Sequence, residues 1–179
     1  IMIQTKIKAI GLVVLMVMSV FAMSGSVAGQ QTPTVSVSDT TTDPGQSTST
    51  DVTVDTLPNG LQTANIRVSL ANGSVADIQD ASGNAISGNS FQIVSQTSDS
   101  ITFRAADISG NVQPGASNVN LATIDLDNTV AGSSSLDVTI NTMEDNNGNA
   151  INPATDAGQL TVNAGGTQPP QQPPDARPN

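Results

Sequence analysis

The sequence predicts an all-β protein, a β-sandwich or jelly roll of about nine short strands. Three observations predict it. Short segments alternate apolar and polar residues, so each offers one face to a core and one to water. Gly, Pro and Asn punctuate those segments, and no segment sustains a helical period. The densest case runs from Asn118 to Val162. Its apolar sets are Ala122, Ile124 and Leu126, then Leu136, Val138 and Ile140, then Leu160 and Val162. Ala131-Gly132-Ser133 and Asn147-Gly148 stand between them, and Asn-Gly suits the positive φ of a tight hairpin turn. The stretch reads as three successive strands of one antiparallel sheet.

The chain opens on a segment outside the fold. Lys6 and Lys8 precede a 15-residue apolar run, Ala9 to Met23, and Ser26-Val27-Ala28 follows with small residues at its ends. This is the layout of a secretory signal peptide, residues 1–28. A membrane anchor is the alternative, but the run falls short of the roughly 20 residues that span a bilayer. The sandwich is expected over residues 34–163. Val35 and Val37 alternate in Thr34 to Ser38, and a polar loop runs from Asp39 through Pro44-Gly45. Val52 and Val54 point inward from Ser49 to Thr56, with Asp51, Thr53 and Asp55 outward. After the turn Leu57-Pro58-Asn59-Gly60, Ala64, Ile66, Val68 and Leu70 alternate with Thr63, Asn65, Arg67 and Ser69.

Val75 to Ile78 is a short apolar segment, and Ala81 to Ser90 reads as a loop rich in Gly, Ser and Asn. Phe91 to Val94 and Ile101 to Ala105 form a strand pair with Ile101 and Phe103 inward, and a Gly-containing loop, Ile108 to Ser117, follows. From Gly165 the chain turns to Gly, Pro and Gln; residues 164–179 are expected to be an extended linker or tail. A linker implies a further module or an anchor beyond Asn179.

Composition excludes more than it names. Without Lys6 and Lys8 the formal charge moves from −10 to −12, leaving Arg67, Arg104 and Arg177 against 15 acids, 14 of them Asp. Such a surface repels phosphates and anionic lipid, so neither nucleic acid nor membrane insertion of the mature domain is expected. It suits solubility in concentrated salt, and a halophilic source is the expectation. The chain has no Cys and no His, which removes disulfides, thiolate sites, imidazole-based zinc sites and His-based triads. It has no Trp or Tyr, which weakens a conventional sugar-stacking face.

Candidate chemistry is sparse. Glu144-Asp145-Asn146-Asn147-Gly148-Asn149 is an oxygen-rich cluster that could hold calcium, but it lacks EF-hand spacing and reads better as a hairpin turn. Asp77 with Asp80, or Asp125 with Asp127, offers paired carboxylates; a glycosidase needs such a pair across a cleft, whereas Asp125 and Asp127 fall on an exposed strand face. Asn72-Gly73-Ser74 is the only N-glycosylation sequon. No Gly-x-Ser-x-Gly elbow occurs. No enzyme, no cofactor and no metal are expected.

Taken in order, several stretches resemble a cohesin module, the receptor half of the cohesin–dockerin pair. Pro44-Gly45 precedes the strand of Val52 and Val54 as in that family. Asn59-Gly60-Leu61 and the alternation Ala64, Ile66, Val68, Leu70 look like its third strand. Phe103-Arg104-Ala105-Ala106-Asp107 with Ser109-Gly110, Leu121-Ala122-Thr123-Ile124, Ala131-Gly132, Asp145-Asn146-Asn147-Gly148-Asn149 and Gly158-Gln159-Leu160-Thr161-Val162 match later parts. The resemblance covers about Val35 to Val162. One departure is Leu70-Ala71-Asn72, where the family often has an aromatic-Asp-Pro turn.

The resemblance implies an antiparallel jelly-roll sandwich like family-3 carbohydrate-binding modules, and a secreted or cell-surface, non-catalytic module that binds a dockerin-type protein, with a role in polysaccharide breakdown. It places binding on the outer face of the third, fifth, sixth and eighth strands. Carried over, that face holds Thr63, Asn65, Arg67, Arg104, Asp137 and Thr139. A structural or adhesive surface domain and a carbohydrate-binding module, with polysaccharide as ligand, are the alternatives.

Overall fold

Alternation becomes burial in two facing sheets. The computed structural model describes residues 31–165; the expected signal peptide and residues 166–179 of the expected linker lie outside the described residues. The strands are β1 (Thr34–Val37), β2 (Thr40–Thr42), β3 (Ser47–Leu57), β4 (Thr63–Leu70), β5 (Ala76–Gly83), β6 (Phe91–Gln96), β7 (Ser100–Ala106), β8 (Ala116–Asn128), β9 (Gly132–Glu144), β10 (Ala154–Asp156) and β11 (Gly158–Val162). One sheet has the order β10-β1-β3-β8-β5, the other β2-β11-β9-β4-β7-β6. Val35, Val52, Val54, Ile124 and Leu126 from the first meet Ala64, Ile66, Ile101, Phe103 and Leu136 from the second, all fully buried. Each large aliphatic side chain so removed from water stabilises the fold by roughly 1.5–3 kcal/mol against the ordering entropy. The fold is an all-β sandwich.

The first and last segments each serve both sheets. β1 pairs antiparallel with β3 and parallel with β10, while β2 pairs parallel with β11. The chain therefore changes sheet twice at one place, at Ser38-Asp39 and at Ala157. Asp39 Oδ1 accepts the Gln159 N–H at 2.8 Å, and Thr50 Oγ1 donates to the Ser38 carbonyl at 2.6 Å. Gly158 fits here because a Cβ would come within 2.7 Å of the Val37 oxygen and 2.8 Å of the Ser38 oxygen.

Several expectations need correction. Eleven strands form rather than about nine, because β2 lies in the supposed polar loop and β10 was not anticipated. Both sheets are mixed at one edge through the parallel pairs. The three runs between Asn118 and Val162 do not lie in one sheet: β8 pairs with β3 and β5, and β9 with β4 and β11. Alternation shows that a strand has an apolar face but not which sheet it joins. Of Val75 to Ile78, Val75 lies in the preceding turn and Ala76 to Ile78 open a longer β5, which takes the first residues of the supposed Ala81–Ser90 loop. The rest of that loop buries Ile86 completely and ends in a 3-10 turn, Gly88–Ser90. β8 begins at Ala116, inside the supposed Ile108–Ser117 loop.

Candidate functional site

The outer face of β6-β7-β4-β9 is built by register. Residues directly opposite each other in an antiparallel pair share a face. Asn65 lies opposite Arg104 on β7 and Thr142 on β9; Arg67 lies opposite Thr102 and Thr139; Ser69 lies opposite Ser100 and Asp137; Thr63 lies opposite Ala106 and Glu144. On the far side of β7, Gln92 of β6 continues the Arg104 row and Ser95 the Thr102 row. All six residues carried onto this sequence thus fall on one contiguous face. Arg67, Arg104, Asp137 and Thr139 are exposed, and Thr63 and Asn65 half-buried. Ala64, Ile66, Val68, Phe103, Leu136 and Val138 lie behind them in the core. A continuous apolar layer backs the face along these strands.

Charge distinguishes this face. Arg67 and Arg104 are the only cations among the described residues. They are diagonal neighbours across β4 and β7, a relation that spaces two positions by about 7–8 Å. Asp137 is diagonal to Arg67 on the other side but accepts from Ser135 Oγ at 2.6 Å. The opposite sheet is strongly acidic. Asp77 faces Asp127 and Asp80 faces Asp125 across β5 and β8, with Asp51 and Asp55 on β3 beyond. Ser47 Oγ donates to Asp127 Oδ1 at 2.6 Å, and Asp51 Oδ1 accepts from Thr123 Oγ1 at 2.6 Å. These paired carboxylates stand on an open sheet face, not across a cleft.

A bulge supplies site residues that the sequence reading missed. The β4–β9 register shifts between Asn65 and Ile66, opposite which Asn141 is the extra residue. A bulge bends the strand and re-aims its side chains. Asn141 and Thr142 are both exposed, and Asn141 Nδ2 donates to Asn65 Oδ1 at 3.0 Å. The signal was present: the apolar positions Leu136, Val138 and Ile140 step by two, and the next, Met143, is three residues on.

β11 pairs with β9 only from Gly132 to Leu136, and the chain returns to β9 through the Glu144–Ala150 bridge and the Ile151 N–H to the Met143 carbonyl at 2.8 Å. A groove of about 330 Å³ lies beside the bulge, lined by Ile140, Asn141, Thr142, Met143, Glu144 and the segment Ala150 to Pro153.

The oxygen-rich cluster closes a hairpin. The Gly148 N–H bonds the Asp145 carbonyl at 2.9 Å and the Asp145 N–H bonds the Asn149 carbonyl at 2.9 Å. Gly148 has φ +79°, as a three-residue loop ending in a left-handed position requires. The buried Asp145 carboxylate accepts from the N–H of Asn149 at 2.9 Å and of Asn147 at 2.8 Å through Oδ1, and from the side-chain amides of Asn149 and Asn59 through Oδ2. The Asn149 N–H above all holds its pKa below the ordinary 3.8, against a smaller opposing effect of burial. Its oxygens face N–H donors, the arrangement of a turn lock rather than of a cation ligand.

No protein-family model matches the chain, and no curated protein matches it. Solved structures do. The cohesin CaCohA2 from Clostridium acetobutylicum is 22% identical with a TM-score of 0.64, over 76% of this chain and 94% of that one. A non-cellulosomal cohesin from the hyperthermophilic archaeon Archaeoglobus fulgidus is 18% identical with a TM-score of 0.63, over 75% and 93%. A type I cohesin–dockerin complex from Clostridium thermocellum matches at 15% identity and a TM-score of 0.63, over 74% and 99%. At these identities the likeness carries the architecture, and the described domain has the cohesin fold.

Proposed function

We propose that this domain is a non-catalytic, extracellular docking module that binds a dockerin-type protein through the outer face of β6-β7-β4-β9. The observation that carries the reading is the segregation of charge. Both cations of the described domain stand as diagonal neighbours on that face, while the opposite sheet presents facing aspartates. Two guanidinium groups at this spacing repel each other until an acceptor is shared between them, so a partner carboxylate or carbonyl gains from both. A rigid, polar strand face loses little conformational entropy on association. The fold likeness includes cohesins solved together with their dockerins, which supports a protein partner of that kind.

The groove beside Asn141 extends the face at its β9 end and offers Ile140, Ile151 and Pro153 to an apolar side chain of the same partner. Attachment of polysaccharide-degrading enzymes is the role that fits a secreted tether, with the leader directing export. Titration calorimetry of the domain against dockerin-bearing proteins of its source organism tests the reading. Saturable binding abolished by R67A/R104A supports it. A domain that binds none of them at the salt concentration of its habitat is a structural or adhesive spacer instead.

A further inference from the structure

We propose that Asn72 carries an N-linked glycan, added from a lipid-phosphate-linked sugar donor; the inference rests on the leader being an export signal and is independent of the docking face. Asn72-Gly73-Ser74 occupies the turn between β4 and β5, where the chain passes from one sheet to the other, outside every strand. Asn72 and Ser74 are both exposed. The turn is held from outside the sequon's reactive group: the Leu70 N–H bonds the Asp99 carbonyl at 2.9 Å, the Asn72 N–H bonds Ser134 Oγ at 3.0 Å, and Thr129 Oγ1 donates to the Ser74 carbonyl at 2.9 Å. The Asn72 side chain folds back so that its Oδ1 accepts the Ser74 N–H at 3.2 Å. That contact uses the amide oxygen of an exposed side chain, and no hydrogen bond among the described residues engages its Nδ2.

The middle residue is constrained as well. A Cβ at position 73 would meet the exposed Asp99 carboxylate, which would have to swing aside, so glycine is the residue that fits the centre of this sequon without rearrangement. The turn therefore presents an exposed asparagine and an exposed serine two residues on, outside every strand and not part of the buried core. In the transfer, Nδ2 forms a bond to the sugar C1, the C1–O bond to the lipid phosphate breaks with its electron pair leaving on the phosphate, and one amide proton passes to the transferase. A purely structural role for Asn72 needs only the Oδ1 contact, which aspartate also supplies.

The arginine positions make the test direct. Cleavage after Arg67 and Arg104 releases Val68–Arg104, which contains the only sequon. The protein is purified from its own organism, digested with trypsin, and that peptide weighed by mass spectrometry. The proposal expects a mass above the sequence value by a whole glycan, and the sequence value in N72D and S74A expressed in the same host, with circular dichroism unchanged in both. An unmodified wild-type peptide, from whichever cell fraction holds the protein, overturns it. So does a modified peptide in which the added mass persists in N72D.

Discussion

Phe103→Ala is the sharpest probe of how the sandwich holds the proposed docking face. Phe103 is fully buried on β7, opposite Ile66 of β4 and Ile93 of β6, and stacks on the half-buried Phe91 with ring centroids 5.1 Å apart. It is the largest of the fully buried side chains. Removing a buried phenyl ring costs the lost transfer energy plus a cavity, about 3–5 kcal/mol, and the ring pair is included in that figure. For a domain of this size the loss lowers Tm by roughly 10–20 °C. Phe91→Ala, at a partly solvated position on an edge strand, should cost about half as much. The chain has no Trp or Tyr, so urea unfolding is followed by far-UV circular dichroism rather than by fluorescence. A loss below 1 kcal/mol for Phe103→Ala, or equal losses for the two phenylalanines, would refute the packing argument.

Further predictions follow from the turn lock, the crossover and the acidic sheet. Asp145 has a lowered folded pKa, so its stabilisation is complete above the ordinary value of 3.8 and is lost as pH falls through the lower folded value. Denaturation midpoints measured between pH 2 and 6 should show that acid limb in the wild type and a flatter one in Asp145→Asn. Gly158→Ala places a methyl against the Val37 and Ser38 carbonyl oxygens and should destabilise by roughly 1–3 kcal/mol, with amide exchange rising in β1 and β11 together. Facing pairs Asp77–Asp127 and Asp80–Asp125 repel at low ionic strength. Tm should therefore climb with added salt, and D80N/D125N should reduce the slope; a salt-independent Tm removes the reason for inferring a halophilic source.

What was legible in the sequence is what burial alone writes there. β4 announces itself because Ala64, Ile66, Val68 and Leu70 must all face the core, which fixes Thr63, Asn65 and Arg67 outward. Thr40–Thr42 and Ala154–Asp156 carry no such mark, since β2 and β10 are short polar edges that exist because β11 and β1 offer free backbone groups. Pairing partners were also hidden: Leu126 and Leu136 alternate identically although β8 and β9 lie in opposite sheets. The candidate face follows from the family resemblance and the strand alternation together. Its bulge at Asn141, and the groove beside it, depend on a register shift against β4 that no local pattern states outright.

The central claim is that one sheet face, and not the other, receives a protein partner. Its most direct measurement is the affinity of a dockerin-bearing partner for the wild type, Asn65→Ala, Arg67→Ala and Asp51→Asn, in native salt and with Tm recorded for each. Asp51 serves as the control because it lies on β3 in the opposite sheet, and asparagine keeps an acceptor for Thr123. The account predicts that Asn65→Ala and Arg67→Ala each weaken binding by about 1–3 kcal/mol, roughly 5- to 150-fold, with little change in Tm, while Asp51→Asn binds as the wild type does. Equal losses on both faces, or wild-type affinity in Arg67→Ala, would contradict it.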